Sequence, residues 1–189
     1  MFLFINIAHY HLFKMTTPSI KLSQVTSTEI ISLLHISIKT FFDTFSHLNS
    51  EANMQAYLNS NLTEQKLTNE LNTPGSEFYF VWVDDKLAGY LKINTGLAQT
   101  ELREDSGMEI ERIYVLQEYQ GKKVGQFLLD NSINLAKEKH KSYLWLGVWE
   151  DNSKAIAFYK KNGFVSFDSH TFKLGDEIQT DIMMKLNSI

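Results

Sequence analysis

The segment MEIERIYVLQEYQGKKVGQ, Met108 to Gln126, decides the fold, because a strand, a glycine-bearing loop and the start of a helix follow one another within it. Up to Val115 the apolar residues alternate with charged ones, which predicts a strand with one buried face. The alternation slips near Arg112. Such a slip indicates a β-bulge, which splays a strand from its neighbour and leaves backbone groups unpaired.

The loop from Gln120 to Gly125 leads into a helix that the apolar pattern predicts from about Gly125 to Lys139. This junction gathers main-chain N–H groups and the positive end of a helix dipole at one place, which suits a pyrophosphate group. Unpaired backbone groups along the preceding strand suit an amide-rich ligand. Taken alone, the segment also fits an ordinary strand–turn–helix junction of an α/β domain.

Two motifs carry a family resemblance. The loop resembles the coenzyme A signature Q/R-x-x-G-x-G/A of the Gcn5-related N-acetyltransferase (GNAT) superfamily, with Gln120 and Gly125 at its ends. Lys123 stands where the family usually has glycine, and we expect its ammonium group to compensate in part. The segment from Asn152 to Phe164 resembles the later motif N-x-x-A-x-x-x-Y-x-x-x-G-F at all six marked positions. Two motifs in the correct order are more specific than either alone.

The resemblance implies a mixed α/β fold, in which helices flank a central, twisted, mostly antiparallel sheet with a splayed parallel strand pair. The residue pattern fits this fold. A capping box at Thr26 opens a helix to about Phe45, and two short helices follow between Ser50 and Asn72. The apolar run Tyr143 to Trp149 lies between two predicted helices and indicates a buried strand in a parallel pair. Two hairpins are predicted. The first joins Phe78–Val83 to Leu87–Asn94, and the second joins Phe164–Lys173 to Ile178–Leu186.

Chain length and cysteine content limit the organisation of the protein. A chain of 189 residues suits one domain. We expect a single GNAT domain over residues 15–189 and an upstream extension over residues 1–14, with an added edge strand or an oligomer contact as the alternative role of the extension. The sequence contains no cysteine, which rules out disulfides, thiolate metal sites and a cysteine nucleophile and suits a reducing cytoplasm.

Charge and motif content exclude several classes of function. The net charge of −4 argues against general nucleic-acid binding but is compatible with a cationic small substrate. No apolar run is long enough for a transmembrane helix, so we expect no membrane partner. Among the histidines only the pair His9 and His11 has metal-ligand spacing, and we predict no metal site. Phosphate-loop and dinucleotide fingerprints are absent, which disfavours ATP and NAD.

The resemblance further implies acetyl-coenzyme A as the cosubstrate and Tyr159 as the acid that protonates the departing sulfur. The alternative role for Tyr159 is packing of its helix against the sheet. The expected cofactor contacts lie in three segments, namely Ile113, Tyr114 and Val115; then Gln120, Gly121, Lys122, Lys123, Val124, Gly125 and Gln126; and finally Asn152, Ala155 and Phe158.

Acetyl transfer to an amine also needs a proton acceptor, because the amine attacks only after it loses its proton. Glu109 and Glu111 lie two residues apart, hence on the same side of an ideal strand. Either carboxylate could accept the proton directly or through water, and Glu111 is preferred because it is nearer the splay. The alternative is a solvated strand face.

From about Lys21 to Leu186 the chain is similar to bacterial spermine/spermidine N-acetyltransferases. This resemblance implies transfer of an acetyl group to a primary amine of a small cation, most readily spermidine or spermine, in the cytoplasm. Such an acceptor requires convergent carboxylates and aromatic walls, with the candidates Glu109, Glu111, Asp43, Glu150, Trp149 and Tyr90. Acetylation of a protein N-terminus or lysine, and a non-catalytic acyl-CoA-binding module, remain alternatives. A homodimer is left open.

Overall fold

The computed structural model describes residues 18–174, 177–187 and 189. The predicted extension over residues 1–14 lies outside the described residues, as do His9 and His11. Within the described part the strands are β1 Ile20–Gln24, β2 Ser76–Val83, β3 Lys86–Thr95, β4 Gly107–Val115, β5 Tyr143–Trp149, β6 Val165–Leu174 and β7 Glu177–Asn187. The helices are α1 Ile30–Phe45, α2 Glu51–Asn61, α3 Glu64–Leu71, α4 Val124–Glu138 and α5 Ser153–Lys161.

The strands form one sheet in the order β1-β2-β3-β4-β5-β7-β6. The pair β4 and β5 is parallel, and the other neighbouring pairs are antiparallel. Helix α4 connects the two parallel strands, as a crossover between parallel neighbours requires. The predicted mixed α/β fold is therefore confirmed.

Helices cover both faces of the sheet. On one face the buried side chains of Leu128 and Leu129 from α4 pack with β-strand residues such as Leu144. On the other face Leu33 and Ile36 of α1 pack on the aromatic residues of β2 and β3. The apolar spacing of each helix thus produces one buried stripe.

The predicted slip in β4 is a β-bulge. Strand β3 pairs Lys92 with Arg112 and then Ile93 with Ile110, so Glu111 is the extra residue on β4. A bulge bends its strand and increases the local twist. The irregularity lies next to Arg112, as the change of period predicted.

The parallel pair opens just before this bulge. Three register pairs join β4 to β5, and the last of them is Glu109 with Trp145. Both strands continue, β4 to Val115 and β5 to Trp149, without further pairing to each other. The facing edges of the two strands therefore present backbone groups that the sheet does not use.

Candidate functional site

Two clefts meet at the opening between β4 and β5. The first, here called the acidic cleft, has a volume of about 430 Å³ and includes Glu109, Glu111 and Asp181 in its wall. The second, here called the loop cleft, has a volume of about 770 Å³ and is bordered by Gln120 and Gly121 of the loop after β4. The two clefts share a wall made of Thr44, Phe45, Ile113, Tyr114, Trp149, Asn152, Ala155 and Tyr159. Two molecules that occupied both clefts would meet at this wall.

An open, glycine-bearing loop borders the loop cleft. Gly121 has a φ of +72°, and Lys123, which precedes α4, has a φ of +66°. Such positive φ values favour glycine, which explains why a glycine is usual at the position of Lys123. A Cβ atom on Gly121 or Gly125 would meet nothing within 4 Å, so the loop surface is open to a ligand. The first N–H groups of α4 lack intrahelical partners, as at any helix start.

The predicted cofactor contacts divide into two groups. Those that line the loop cleft are Ile113, Tyr114, Val115, Gln120, Gly121, Gly125, Asn152, Ala155 and Phe158. The others, Lys122, Lys123, Val124 and Gln126, do not line it with their side chains. The Val124 side chain is buried in the core, and the Gln126 amide donates hydrogen bonds to Asp130 and Asn162. Lys122 and Lys123 are exposed beside the cleft.

Tyr159 lies on the shared wall, and helix α5 holds it there. Asn152 caps this helix, because its side-chain oxygen accepts a hydrogen bond from the Ala155 N–H at 3.1 Å. The Tyr159 ring contacts the rings of Phe158 and Phe164, at centroid distances of 5.3 and 5.6 Å. Burial raises the pKa of the Tyr159 hydroxyl well above its ordinary value. The hydroxyl is therefore protonated at neutral pH and is able to donate a proton.

Glu109 is buried in the acidic cleft and held by neutral donors. It accepts hydrogen bonds from the Thr100 N–H at 2.9 Å and the Thr100 hydroxyl at 2.5 Å. The Asn94 amide donates to it at 2.9 Å and also to Glu111 at 2.6 Å, so the two carboxylates lie side by side as predicted. Burial raises the pKa of Glu109, and these hydrogen bonds oppose the shift only in part.

Glu111 belongs to a network of charged side chains. Its Oε2 atom lies 2.6 Å from Lys92 Nζ, and its Oε1 atom lies 3.0 Å from Arg112 Nη2. Glu70 on α3 contacts the same two cations, at 2.9 Å for Lys92 and 2.8 Å for Arg112. Burial would raise the pKa of Glu111, but the charges of Arg112 and Lys92 outweigh burial and lower it. Of the two neighbouring glutamates, Glu109 is thus the stronger base.

Aromatic side chains from α1, α2 and β5 form one wall of the acidic cleft. Phe41 stacks on Tyr57 at a centroid distance of 4.3 Å, and Phe45 lies 6.1 Å from Trp149. Phe41 is buried, as the helical spacing predicts, and also borders the cleft. Its neighbour Phe42 points outward and is 48% exposed. The ring faces in the wall suit contact with a cation.

Several functional candidates escaped the sequence analysis. Asp181 of β7 and His170 of β6 line the acidic cleft, with His170 Nε2 3.6 Å from Asp181 Oδ2. Alternation along β7 was the available signal, but its face could be assigned only with the register of β5, β7 and β6. Of the predicted acids, Asp43 lines the loop cleft, and Glu150 lines neither cleft. Trp149 and Tyr90 line the acidic cleft as expected.

The described residues provide neither a metal-ligand cluster nor a membrane-spanning helix. They contain no group of three or more His, Asp or Glu side chains arranged to hold a metal ion. Among residues 18–174 and 177–187, none of the helices is long and apolar enough to cross a membrane.

Comparisons with known proteins agree with this geometry. The model of the acetyltransferase (GNAT) family matches residues 33–164. An uncharacterized N-acetyltransferase of Lactobacillus delbrueckii subsp. lactis is 42% identical over 166 residues, which cover 88% of this chain and 96% of the relative. The spermidine N(1)-acetyltransferase of Thermoplasma acidophilum is 25% identical over 150 residues, which cover 77% of this chain and 88% of the relative.

Solved structures show the same fold. The PaiA N-acetyltransferase of Thermoplasma acidophilum, in complex with coenzyme A, matches with a TM-score of 0.72 at 22% identity and covers 89% of this chain and 99% of that one. The ribosomal-protein-S18-alanine N-acetyltransferase of Escherichia coli matches with a TM-score of 0.67 at 19% identity, over 90% of this chain and 94% of that one.

Proposed function

We propose that this protein, which belongs to the acetyltransferase (GNAT) family, acetylates a primary amine of spermidine or spermine. The family gives the reaction class, which is transfer of an acetyl group from acetyl-coenzyme A to an amine. The observation that carries the choice of acceptor is the charge of the acidic cleft. Four carboxylates line it, on Glu101, Glu109, Glu111 and Asp181, against the single guanidinium of Arg112.

Ion pairs at one end of the cleft leave this excess of negative charge in place. Arg112 and the neighbouring Lys92 are both paired with Glu111 and Glu70. Their positive charge is therefore balanced within the network. Glu109 accepts hydrogen bonds from Thr100 and Asn94, which are neutral donors. An ammonium group that entered the cleft would find an unbalanced carboxylate and aromatic ring faces, which both attract cations.

The loop cleft fits the other substrate, acetyl-coenzyme A. The open edges of β4 and β5 offer backbone groups around Ile113 and Val115, which suit the amides of a pantetheine arm. The Val115 carbonyl already accepts a hydrogen bond from the Gln120 side chain at 3.2 Å. The loop from Gln120 to Gln126 offers N–H groups and the start of α4, which suit a diphosphate. Asn152, Ala155 and Phe158 complete the wall. The thioester would then lie at the wall that the two clefts share.

The protein's own residues would supply the two proton transfers. Glu109, whose pKa is raised by burial, would accept the proton of the substrate ammonium directly or through water. The amine nitrogen would then attack the thioester carbon, the C–S bond would break, and the nitrogen would release its second proton to solvent as the amide forms. Tyr159 would give its hydroxyl proton to the departing sulfur and regain one from solvent. Glu111, whose pKa is lowered by Arg112 and Lys92, would stay ionised and keep these two cations paired beside the cleft.

Relatives support the polyamine acceptor. A spermidine N(1)-acetyltransferase is similar over most of the chain, and the PaiA N-acetyltransferase shares the fold. Acetylation of a protein N-terminus is the second candidate, because a ribosomal-protein-alanine N-acetyltransferase shares the fold at 19% identity. A narrow cleft of about 430 Å³ with four carboxylates suits a slender polycation better than a protein terminus.

The proposal is tested by release of free thiol from acetyl-coenzyme A with a panel of acceptors. The panel contains spermidine, spermine, a diamine, a monoamine of similar length and a peptide with an N-terminal alanine. We expect the highest kcat/KM with spermidine or spermine. A higher value with the peptide would assign the second candidate. Binding of acetyl-coenzyme A without thiol release for any acceptor would favour a non-catalytic module.

A further inference from the structure

A histidine and an aspartate form the wall of the acidic cleft on β6 and β7. His170 and Asp181 are direct register partners on these antiparallel strands, so their side chains leave the sheet side by side. The distance from His170 Nε2 to Asp181 Oδ2 is 3.6 Å, and the two side chains are 24% and 20% exposed. The pair is therefore partly withdrawn from solvent but can be reached from the cleft.

The neighbouring strand leaves room for this pair. A Cβ atom on Gly147 of β5 would lie 3.1 Å from His170 Cε1 and 3.4 Å from Asp181 Oδ2. The φ of Gly147 is not positive, so its backbone does not require glycine. The absence of a side chain is explained by the space that the His170 ring and the Asp181 carboxylate occupy above it.

His170 lies beside Asp181 with one ring nitrogen unpaired. Its Nδ1 atom is buried and has no hydrogen-bond partner among the described residues. Its Nε2 atom faces Asp181 at 3.6 Å. Apart from His170, no cationic side chain of the described residues lies within ion-pair distance of Asp181. The Asp181 carboxylate thus faces the cleft without a lysine or arginine partner.

Burial also acts on Asp181. It raises the pKa of Asp181, a positive charge on His170 would lower it, and the charge of Glu150 raises it further. A cation beside a buried carboxylate favours the charged form of that carboxylate. A substrate ammonium would supply that cation.

The position of Asp181 relative to Glu109 sets a distance along the cleft. Glu109 is the register partner of Trp145, and the Asp181 carboxylate lies over Gly147, two residues further along β5. Two residues span about 7 Å of strand, and their side chains point to the same face. Strands β4 and β7 lie on opposite sides of β5, which adds about 10 Å across the sheet. Two carboxylates at this separation suit two nitrogens of an extended polyamine.

We propose that the His170–Asp181 pair binds the second, non-reacting ammonium group of the acceptor and so selects diamines and polyamines over monoamines. Asp181 supplies the charge, and the His170 ring lies beside its carboxylate and restricts its position. Trp149, the register partner of Asp181, adds an aromatic face to the same part of the cleft. The inference rests on the proposed function, because it assumes that the acceptor is a small amine.

The test compares kcat and KM for spermidine with those for a monoamine of similar length. Asp181→Asn should raise the KM for spermidine about tenfold, since an ion pair of this exposure contributes on the order of 1 to 2 kcal/mol. The kcat should change much less, and the spermidine-to-monoamine ratio of kcat/KM should fall about tenfold. Asp168→Asn is the matched control, because Asp168 lies on the same hairpin but is exposed and outside the cleft.

Two further variants keep the test independent of folding. His170→Gln retains a donor for Asp181 and should lower the ratio only about twofold to threefold, which is a small fraction of the effect of losing a charge. Gly147→Ala changes no charge but displaces the pair, and should also lower the ratio. Thermal unfolding and acetyl-coenzyme A binding check that each variant is folded.

The outcomes separate this inference from the proposed function. If the wild type acetylates spermidine and Asp181→Asn leaves the ratio unchanged, the inference is wrong and the proposed function stands. An equal loss for spermidine and the monoamine would assign Asp181 to general structure or chemistry and would likewise overturn the inference. If the wild type acetylates no diamine or polyamine, the proposed function fails and the inference fails with it.

Discussion

The acidic cleft and the loop cleft share a wall but are built in different ways. The loop cleft is bordered mainly by three short segments, which are the end of α1 with the residues after it, the end of β4 with its loop, and the start of α5. The acidic cleft is formed by side chains from α1, α2, β4, β5, β6 and β7, and its character comes from paired and unpaired charges. The main chain of the loop suits the diphosphate of coenzyme A, which is the same whatever amine is acetylated. The side chains of the acidic cleft can be exchanged by mutation and can thereby change which amine is accepted. The difference predicts which substitutions affect binding of each substrate.

Tyr159→Phe should give the largest effect, because its hydroxyl lies on the wall that both clefts share. General acid catalysis contributes on the order of 10² to 10⁴ in rate, and we expect kcat to fall within the lower half of that range. The affinities for acetyl-coenzyme A and for the amine should change little. Single-turnover kinetics and calorimetry measure these quantities.

Tyr79→Phe is the matched control, since it removes the same atom on β2, away from both clefts. An unchanged rate of the chemical step in folded Tyr159→Phe would contradict an acid role and leave Tyr159 as a packing residue.

Glu109→Gln and Glu111→Gln form a pair that tests the acidic cleft. We expect Glu109→Gln to lower kcat at neutral pH by about 10²-fold, because it removes the group with the raised pKa. Glu111→Gln should lower kcat less, by about tenfold, through disorder in the neighbouring network. Steady-state kinetics over a range of pH measures both. A larger loss for Glu111→Gln across the profile would make Glu111 the base, as the sequence analysis prefers.

The same two residues should affect stability in opposite pH windows. The pKa of Glu109 is raised, so the wild type loses stability as pH rises from about 4.3, the ordinary glutamate value, through the folded value. The pKa of Glu111 is lowered, so its contribution is present above about 4.3 and is lost as pH falls through the folded value. Urea unfolding at several pH values should therefore show that the free energy of unfolding of Glu109→Gln rises relative to that of the wild type towards neutral pH. The deficit of Glu111→Gln should shrink towards acid pH.

Lys123→Gly should give the smallest effect and tests the loop cleft. A non-glycine residue at a φ of +66° is strained, so the change should raise the free energy of unfolding by about 0.5 to 1 kcal/mol. If the loop acts through its backbone, the affinity for acetyl-coenzyme A should change less than threefold, which is well under 1.4 kcal/mol.

Lys122→Gly is the control, because it removes the same charge at a position where φ is not positive. It should lower stability. A large loss of acetyl-coenzyme A affinity in either variant would mean that the lysine side chains, and not the backbone, bind the diphosphate.

The contrast between the clefts also explains what could be predicted from sequence. The loop cleft depends on local features, which short motifs record: Asn152 caps α5, and β5 spans Tyr143–Trp149 as predicted. The bulge was visible as a change of period. Each of these features is determined by residues close together in the chain.

The acidic cleft depends on contacts between distant segments. The pairing of Glu111 with Lys92 and Arg112, and of both cations with Glu70, requires α3 to lie beside the bulge. No spacing within the sequence indicates this arrangement. Asp181 joins the cleft only through the register of β7 with its neighbours. The opposite pKa shifts of Glu109 and Glu111 likewise follow from tertiary contacts, so two similar residues have different properties.

The bulge at Glu111 adds one residue to β4. Before it, Ile110 packs in the core under α4, and after it Ile113 and Val115 do the same, while Tyr114 packs on the α1 side. Deletion of Glu111 would restore regular alternation and keep Ile113 and Val115 on the same face as Ile110, but it would remove the bulge beside which β4 parts from β5. The extra residue therefore serves the opening between the two strands and not the packing of the core.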